Sequence, residues 1–265
     1  MNSDAIDCYI FTKAMGFQSA LRWAGASVTR CAAIGDSRSD LEFLSSEGLA
    51  LVGAPADAQP EVIAFVRRCN GLITDAIAPQ RFSAFLSKCI ELGLDLIISD
   101  RDGVLRSNGD EDAAPLLAAL QNLRAEQIKL AVLTGSSVAQ NATFFQPLRH
   151  LPIAVFAENG SMRYDIQSDR SIANIQLDDS RFHFLTRTLK EELLRTFERT
   201  GITERLGLGT LAFPEKQTML TVGIPRRTSA GQVFRGTQAA QAFAREVALN
   251  IETIVKAHLK VEVLR

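Results

Sequence analysis

One stretch of the sequence decides the fold, Leu94-Asp95-Leu96-Ile97-Ile98-Ser99-Asp100-Arg101-Asp102-Gly103-Val104-Leu105. Its apolar run, Leu96 to Ile98, is typical of a strand buried on both faces of a parallel sheet. The run leads into two aspartates, Asp100 and Asp102, and then a glycine. Two carboxylates this close repel each other, and open α/β sheets bind their ligands at the carboxyl ends of the strands. The stretch therefore predicts a buried strand that ends in a turn able to bind a cation.

A second stretch repeats this design nearer the N-terminus. Cys31-Ala32-Ala33-Ile34-Gly35-Asp36-Ser37-Arg38-Ser39-Asp40 is a short apolar run, a glycine and then two aspartates four residues apart. If the two strands are neighbours, Asp36 and Asp40 meet Asp100 and Asp102 at one edge of the sheet. Several carboxylates at one point suit a hard divalent cation, and Mg²⁺ takes carboxylates together with substrate phosphate. The alternative is that each aspartate is only a helix N-cap or a turn residue.

Four short motifs resemble those of phosphatases of the haloacid dehalogenase (HAD) superfamily. Asp100-Arg101-Asp102-Gly103-Val104 resembles the first motif, and Leu133-Thr134-Gly135-Ser136 resembles the second. Lys13, within Phe11-Thr12-Lys13-Ala14-Met15-Gly16, resembles the third, and Gly35-Asp36-Ser37-Arg38-Ser39-Asp40 resembles the fourth. Together with the regions between them, these motifs cover nearly the whole chain.

The order of the motifs along the chain differs from that of the family. The family runs from the first motif to the fourth, whereas this chain runs third, fourth, first, second. Such an order is expected of a circularly permuted phosphatase, or alternatively of a segment cut across two tandem copies. The sequence contains no internal repeat, and strands predicted at residues 4–10 and 259–265 could pair as an antiparallel hairpin. Both observations favour the permutation.

The resemblance implies a role for each residue of the reacting centre. Asp100 would be the nucleophile that forms an aspartyl-phosphate. Asp102 would be the general acid that protonates the leaving alkoxide, and then the base for the hydrolytic water. Thr134 and Gly135 would bind the phosphoryl oxygens through the threonine hydroxyl and neighbouring amides. Lys13 would neutralise the phosphoryl charge and help to restrain the nucleophile.

The resemblance also implies a Mg²⁺ cofactor among the four aspartates. Asp100 and Asp36 would ligate it through their side chains, Asp102 through its backbone carbonyl, and Asp40 as a ligand or as a residue that orients one. The ion would remove the repulsion between a carboxylate nucleophile and an anionic substrate. Arg101 departs from the uncharged residue that is more usual between the two aspartates. In a buried setting it would need a partner; otherwise it points outward or touches substrate.

The predicted fold class is α/β: a Rossmann-like HAD core with a parallel sheet, plus a smaller α+β cap domain, circularly permuted. A helix from Lys13 to about Ala24 is predicted, capped by Thr12, and Ile73-Thr74-Asp75 reads as a turn. Overlaying the family's strand order on the permuted chain predicts a sheet with the spatial order 49–52, 31–35, 94–99, 129–133, 153–157.

Two domains are predicted. Residues 11–164 are assigned to the core, and residues 165–265 together with 1–10 are assigned to the cap. Glu158-Asn159-Gly160 resembles the entry to the cap in sugar-phosphate phosphatases, such as the Cof-type enzymes and those acting on sucrose phosphate or mannosyl-3-phosphoglycerate. The same tripeptide is also an ordinary Asn-Gly hairpin turn, and both interpretations can hold.

The composition is that of an ordinary globular protein. The chain has 265 residues, 46% of them hydrophobic and 22% charged, and a net charge of -1. This balance argues against a general nucleic-acid binder, for which a basic excess is expected. No apolar run approaches the roughly 18 residues needed to span a membrane, and no signal peptide is recognisable. The four cysteines lack metal-ligand spacing and are typical of reduced thiols in a cytoplasmic protein.

The function predicted from these features is Mg²⁺-dependent hydrolysis of a phosphate monoester, with a sugar phosphate or phosphorylated glycoside as the substrate. Two alternatives remain open. One is a catalytically idle HAD-like domain that serves as a binding or regulatory module. The other is a phosphotransferase or phosphomutase of the same superfamily. The sequence identifies neither the individual substrate nor the oligomeric state.

Overall fold

The computed structural model divides the chain into two compact units. One is Phe11–Ile175, and the other combines Met1–Ile10 with Gln176–Arg265. All four predicted motifs lie in the first unit. The structure describes residues 5–9, 12–74, 80–106, 116–117, 120–174, 179–213, 216 and 219–259.

The strands in chain order are β1 (Ala5–Tyr9), β2 (Cys31–Ile34), β3 (Leu51–Pro55), β4 (Leu72–Thr74), β5 (Leu96–Ser99), β6 (Lys129–Leu133), β7 (Ile153–Ala157), β8 (Met162–Asp165), β9 (Arg170–Ala173) and β10 (Met219–Gly223). The α-helices are α1 (Lys13–Ala24), α2 (Leu41–Leu44), α3 (Pro60–Arg68), α4 (Gln80–Glu91), α5 (Asn122–Ala125), α6 (Val138–Phe145), α7 (Asp179–Thr200), α8 (Ile202–Arg205) and α9 (Gln238–Leu259). Within the described part of the chain, none of these helices is both long and apolar enough to cross a membrane.

The first unit is built on an eight-stranded sheet with the spatial order β4-β3-β2-β5-β6-β7-β8-β9. The six strands from β4 to β7 in this order run parallel, and β8 and β9 add an antiparallel meander at one edge. This mostly parallel sheet confirms the predicted α/β class. The predicted order of the five central strands is also confirmed, including the neighbouring positions of β2 and β5 on which the proposed site depends.

The central strands are mostly apolar because helices cover both faces of the sheet. Every residue of β2, β5 and β7 is buried. Alternate side chains of β5 enter different cores: Ile97 packs with residues of α4 and α6, and Ile98 packs with residues of α1, α2 and α3. A strand that buries both faces gains from a continuous apolar run rather than an alternating one, which explains why these strands were readable from the sequence.

The prediction for residues 73–75 was wrong in part. Leu72–Thr74 forms β4, which pairs in parallel with β3 at the edge of the sheet. Asp75 itself lies outside the described residues. A strand of three residues is too short to show a period, so only its pairing with β3 reveals it.

Helix α1 begins and ends as predicted. The side chain of Thr12 accepts a hydrogen bond from the backbone N of Met15, and Gly25 closes the helix in a left-handed conformation. The backbone N of Lys13 donates to Oε2 of Glu42 at 2.8 Å, which occupies one of the unpaired amides of the first turn. These contacts place Lys13 at the start of the helix.

A glycine pair lets α1 approach the loop that follows β7. A Cβ added to Gly16 would lie 2.4 Å from the backbone O of Asn159 and 2.5 Å from Cδ1 of Leu133. A Cβ on Gly160, whose φ is +97°, would lie 2.3 Å from Cα of Gly16. The helix that carries Lys13 is therefore in direct backbone contact with the loop at residues 158–160.

The second unit has its own apolar core. Strands β1 and β10 pair antiparallel, with Ile6 opposite Val222. Buried side chains of α7, β10 and α9 form one cluster, which includes Leu193, Phe197, Val222, Phe243 and Val247. The predicted pairing of residues 4–10 with residues 259–265 cannot be compared in full, because residues 260–265 lie outside the described part of the chain.

The boundary between the units falls after β9. Strand β8 pairs with β7, and β9 pairs with β8, so the hairpin of these two strands extends the sheet of the first unit. The contacts accordingly assign residues up to Ile175 to that unit, whereas the sequence placed the boundary at residue 164.

We expect Gly16→Ala to destabilise the first unit by about 1–3 kcal/mol, because the new methyl group overpacks the contact with residues 159 and 160. The loss occurs even though alanine is intrinsically the better helix former. The measurement is denaturant unfolding followed by the fluorescence of Trp23. This residue is the single tryptophan of the chain, lies on α1, and has its ring 6.1 Å from that of Phe156.

Gly25→Ala is the matched control, because a Cβ there meets no atom within 4 Å although φ is +65°. Its cost is that of the left-handed conformation alone, about 1–2 kcal/mol. An unfolding midpoint for Gly16→Ala equal to that of the wild type would contradict the close contact.

Candidate active site

Asp100 directly follows β5 and lies at the carboxyl edge of the sheet. The register sets Ser99 of β5 opposite Ile34 of β2. The backbone N of Asp100 donates to the backbone O of Ile34 at 3.0 Å. Strand pairing therefore brings the ends of the first and fourth motifs side by side, although they are far apart along the chain.

Lys13 joins these two motifs through its ammonium group. Its Nζ lies 2.9 Å from Oδ1 of Asp100 and 2.5 Å from Oδ1 of Asp40. The lysine is only 6% exposed, and its Nζ lies 5.9 Å from the ring centroid of Phe43. The positive end of a helix dipole disfavours a lysine in the first turn, but two carboxylates at hydrogen-bond distance outweigh that penalty.

Asp40 is fully buried and has both oxygens occupied by protein donors. Its Oδ1 accepts from Lys13, and its Oδ2 accepts from the backbone N of Asp36 at 3.0 Å and the backbone N of Ser37 at 2.9 Å. The Ser37 hydroxyl donates to the same Oδ2 at 2.9 Å. These contacts fold the fourth motif into a tight turn, and they suit a residue that orients its neighbours.

Asp36, Asp40 and Asp100 form a compact acidic group. One ligand atom from each lies within 4.8 Å of the others, which is close enough for a shared metal ion. Gly103 makes room for this group: with φ at +82°, an added Cβ would lie 2.1 Å from Oδ2 of Asp36. Carboxylate oxygens are the donors that a hard cation prefers, so the residues present fit Mg²⁺.

The electrostatics of the group also fit a bound cation. Burial raises the pKa of Asp36 to about 7, with a further contribution from the charge of Asp40. Burial likewise raises the pKa of Asp100, which the charge of Lys13 only partly offsets. For Lys13 burial acts to lower the pKa, but Asp100 and Asp40 together raise it, so the ammonium stays charged. Ionising both Asp36 and Asp100 therefore needs positive charge beyond that of Lys13, which a bound cation would supply.

Thr134 follows β6, the next strand along the sheet. It is buried, and its backbone N donates to the O of Phe156 at 3.1 Å. Its Oγ1 accepts from the backbone N of Ser136 at 3.1 Å, which closes a tight turn around the half-buried Gly135. Because β6 is parallel to β5, this turn lies at the same edge of the sheet as Asp100.

The loop at residues 158–160 supports the turn from the neighbouring strand. The backbone N of Asn159 donates to the O of Thr134 at 2.9 Å, and that of Glu158 donates to the O of Ser136 at 3.1 Å. Glu158 and Asn159 have φ of 51° and 62°, a conformation that is rare outside glycine. Consecutive residues of this kind are typical of functional sites, where surrounding contacts hold the strain.

Asp102 lies in different surroundings from the acidic group. Its Oδ2 accepts from Nη2 of Arg101 at 2.8 Å, and its Oδ1 accepts from Nε of Arg106 at 2.5 Å. Burial acts to raise the pKa of Asp102, but the two arginines outweigh it and lower the pKa below its usual range. Its side chain is not part of the acidic group, so a metal contact from this residue would come from its backbone carbonyl.

Sequence reasoning missed three residues around Asp102: Arg106, Ser136 and Asn141. Each of them contacts either Asp102 or Arg101. One signal was available, because a buried arginine between two aspartates must have partners. The partners themselves were not readable, since Ser136 and Asn141 come from a different strand-helix connection.

The chain matches no protein-family model and no curated protein. Among solved structures it is similar to the C-terminal domain of trehalose-6-phosphate phosphatase from C. albicans, at 17% identity and a TM-score of 0.43. It is similar to the IMP-nucleotidase of Plasmodium falciparum, at 12% identity and a TM-score of 0.43. It is also similar to trehalose-6-phosphate phosphatase from Aspergillus fumigatus, at 21% identity and a TM-score of 0.35.

These similarities cover 71%, 66% and 72% of this chain, in the same order. They cover 57%, 50% and 64% of the three known chains, so this chain spans about half of the first two. Both the identities and the TM-scores are low. Similarities of this size carry no argument about the function of this chain.

Proposed function

We propose that this chain is a HAD-type phosphatase that hydrolyses a phosphate monoester with the help of Mg²⁺. The observation that carries the proposal is the buried bridge from Lys13 to Asp100 and Asp40 at the carboxyl edge of a parallel sheet. It unites residues of three motifs that the resemblance assigns to one reaction. A binding module has no evident need for a nucleophile held in this way.

The reaction has two steps. In the first, a carboxylate oxygen of Asp100 attacks phosphorus, the ester P–O bond breaks, and Asp102 gives a proton to the leaving alkoxide. In the second, water attacks the aspartyl-phosphate and Asp102 takes a proton from it. Inorganic phosphate leaves, and both carboxyl groups return to their starting states.

Two residues restrain the reacting groups. Lys13 holds Oδ1 of Asp100, which leaves Oδ2 as the oxygen for attack. Its ammonium also offers positive charge to the phosphoryl oxygens. Thr134 and Gly135 bind those oxygens through the hydroxyl and the amides of their turn, which the loop at residues 158–160 supports.

Asp36 and Asp100 would hold the metal ion through their side chains, with the backbone carbonyl of Asp102 as a further ligand. Asp40 would orient Asp36 and Lys13, since both of its oxygens are already engaged. When bound, Mg²⁺ supplies the positive charge that lets an anionic phosphate approach a carboxylate. The excess of negative charge in the acidic group is what supports this assignment.

The proposed substrate is a sugar phosphate or a phosphorylated glycoside. The support is the resemblance of Glu158-Asn159-Gly160 to the cap entry of sugar-phosphate phosphatases, together with the unusual conformation of that loop. Residues 1–10 and those from 176 onward are proposed as the cap, which would select the substrate.

Cys31, Cys69 and Cys89 are free thiols, in keeping with the proposed cytoplasmic location.

The proposed circular permutation is supported by the sheet. β2 comes early in the chain and β5 follows much later, yet they are neighbours whose carboxyl ends carry the fourth and first motifs. Helix α4 leads into β5 through a short connection. No long linker there separates the part of the chain with the third and fourth motifs from the part with the first and second. A core assembled in this way keeps the family's strand order while changing the order of the motifs.

We expect Asp100→Asn to lower phosphate release by about a thousandfold or more, because an amide cannot act as the nucleophile. Asp102→Asn should lower turnover by about 10²–10⁴-fold on esters with poor leaving groups. The measurement is inorganic phosphate released with Mg²⁺ from a panel of phosphorylated sugars, phosphorylated glycosides and p-nitrophenyl phosphate.

Asp95→Asn is the control for these variants. Asp95 lies just before β5, at the opposite end of the strand from Asp100, and pairs with Arg30 on the surface. This variant should keep wild-type turnover. A chain that releases phosphate from no ester in the panel, or an Asp100→Asn variant with full activity, would overturn the proposal.

We expect Asp36→Asn to weaken metal binding, because it removes a proposed ligand from the acidic group. Asp40→Asn should weaken it by about 10–100-fold, as is usual when a residue that orients a ligand is lost. The measurement is titration calorimetry with Mg²⁺ and with Mn²⁺, while Trp23 fluorescence confirms that each variant is folded. EDTA should stop turnover and Mg²⁺ should restore it; activity unchanged by EDTA contradicts the metal assignment.

A further inference from the structure

Arg101 is buried next to the proposed reacting groups, and the proposed reaction does not use it. Its residue exposure is 3%, so the guanidinium does not reach solvent. A buried charge is stable only when it is paired and its donors are satisfied. Arg101 meets this condition with an acceptor on each of its three nitrogens, from Asp102, Ser136 and Asn141.

One side of the guanidinium is anchored to Ser136, in the connection between β6 and α6, and to Asn141, in the first turn of α6. Its Nη1 donates to Oδ1 of Asn141 at 2.9 Å, and its Nη2 donates to Oγ of Ser136 at 2.6 Å. Asn141 is fully buried, and its Nδ2 donates to the O of Ser137 at 2.7 Å. The amide group therefore has to turn its oxygen toward Arg101, which fixes the position of the anchor.

The other side of the guanidinium holds Asp102. Nε and Nη2 of Arg101 both donate to Oδ2 of Asp102, at 3.2 and 2.8 Å. Arg106 holds the second oxygen, and its own backbone N donates to the O of Arg101 at 3.2 Å. The turn at residues 101–106 thus closes on Arg101. The guanidinium carbons of Arg101 and Arg106 lie 6.0 and 5.4 Å, respectively, from the ring centroid of Phe144.

Ser136 connects this arrangement to the proposed phosphate-binding turn. The Ser136 hydroxyl accepts from Arg101, while its backbone N donates to Oγ1 of Thr134. A rigid chain of contacts therefore runs from Asp102 through Arg101 and Ser136 to Thr134. A lysine could not replace Arg101, because its donors all lie on one nitrogen, whereas the guanidinium places donors on three nitrogens in one plane.

We propose that Arg101 is a positioning residue that fixes the carboxyl group of Asp102 relative to the phosphate-binding turn at Thr134–Ser136. The inference rests on the proposed function, in which Asp102 moves the proton of the leaving group. Arg101 acts through Asp102 and makes no contact with substrate. Its effect on the first step is therefore confined to esters whose leaving group needs a proton, whereas its effect on the second step, in which Asp102 takes a proton from water, is the same for every ester.

The test compares two phosphate esters with different leaving groups. Arg101→Met removes every donor while keeping most of the side-chain volume. On glycerol 2-phosphate, whose alkoxide needs a proton, we expect kcat/KM to fall by about 10²-fold. On p-nitrophenyl phosphate, whose phenolate leaves without a proton, kcat/KM should stay close to that of the wild type, because kcat/KM reports only the steps up to departure of the leaving group.

A double-mutant cycle identifies the residue through which Arg101 acts. In an Asp102→Asn background, Arg101→Met should cause no further loss on glycerol 2-phosphate, because the two residues act as one unit. Arg101→Lys should recover only part of the activity. Equal losses on both esters, or losses from the two single variants that multiply, would overturn the positioning role and leave the proposed function standing.

Asn141→Ala keeps every charge and removes only the anchor of Nη1. It should show the same selective loss on glycerol 2-phosphate, but a smaller one. If Arg101→Met does not fold, this variant tests the positioning role of Arg101 in its place. An equal loss on both esters in a folded Asn141→Ala variant would likewise overturn the positioning role.

Arg30→Met serves as the control for loss of an arginine. Arg30 is exposed, and its guanidinium pairs with Asp95 and with the O of Gly93, at the end of β2 and β5 opposite the site. This variant should leave turnover of both esters unchanged. A wild-type chain that releases phosphate from neither ester overturns the proposed function, and the positioning role with it.

Discussion

The site depends on one buried interaction, in which the ammonium of Lys13 lies between Asp100 and Asp40. Removing such groups from water costs several kcal/mol each, and removing one partner of a buried pair typically costs about 3–5 kcal/mol. The pairing therefore offsets the cost of burying these three charges together. Because they come from α1, from the turn after β2 and from the end of β5, their pairing fixes how the helix docks against the sheet.

Glycines in the backbone around this interaction allow the close contacts that it requires. Gly16 and Gly160 allow α1 to contact the loop after β7, and that loop donates a backbone hydrogen bond to Thr134. Gly103 leaves the space that the carboxylate of Asp36 occupies. Lys13 and the turn at Thr134 are thus positioned against a common support, so a displacement of α1 would disturb both the contact of Lys13 with Asp100 and the proposed phosphate-binding turn.

The buried central strands were predictable from local patterns, because a buried parallel strand is a continuous apolar run. Asp36 and Asp100 each follow such a run after one intervening residue. Their meeting was predictable only from the strand order that the family resemblance implies. The environment of Asp102 was not predictable, since its partners are set by packing between α6 and the turn at residues 101–106. Strand β4 was missed because three residues carry no period. The conformation of the loop at residues 158–160 depends on its contacts with Thr134 and Ser136, which no local pattern encodes.

The turn at residues 100–106 separates two environments of opposite charge. On one side three carboxylates share the single ammonium of Lys13, and on the other Arg101 and Arg106 share the single carboxylate of Asp102. The acidic side can accept an anionic phosphoryl group only together with a cation, which ties the proposed chemistry to the metal ion. The arginines lower the pKa of Asp102 in the absence of substrate, whereas a phosphate dianion brought beside it acts in the opposite direction. In the proposed reaction, the charge that the substrate phosphate brings to Asp100 therefore also favours a proton on Asp102, the group proposed to protonate the leaving alkoxide.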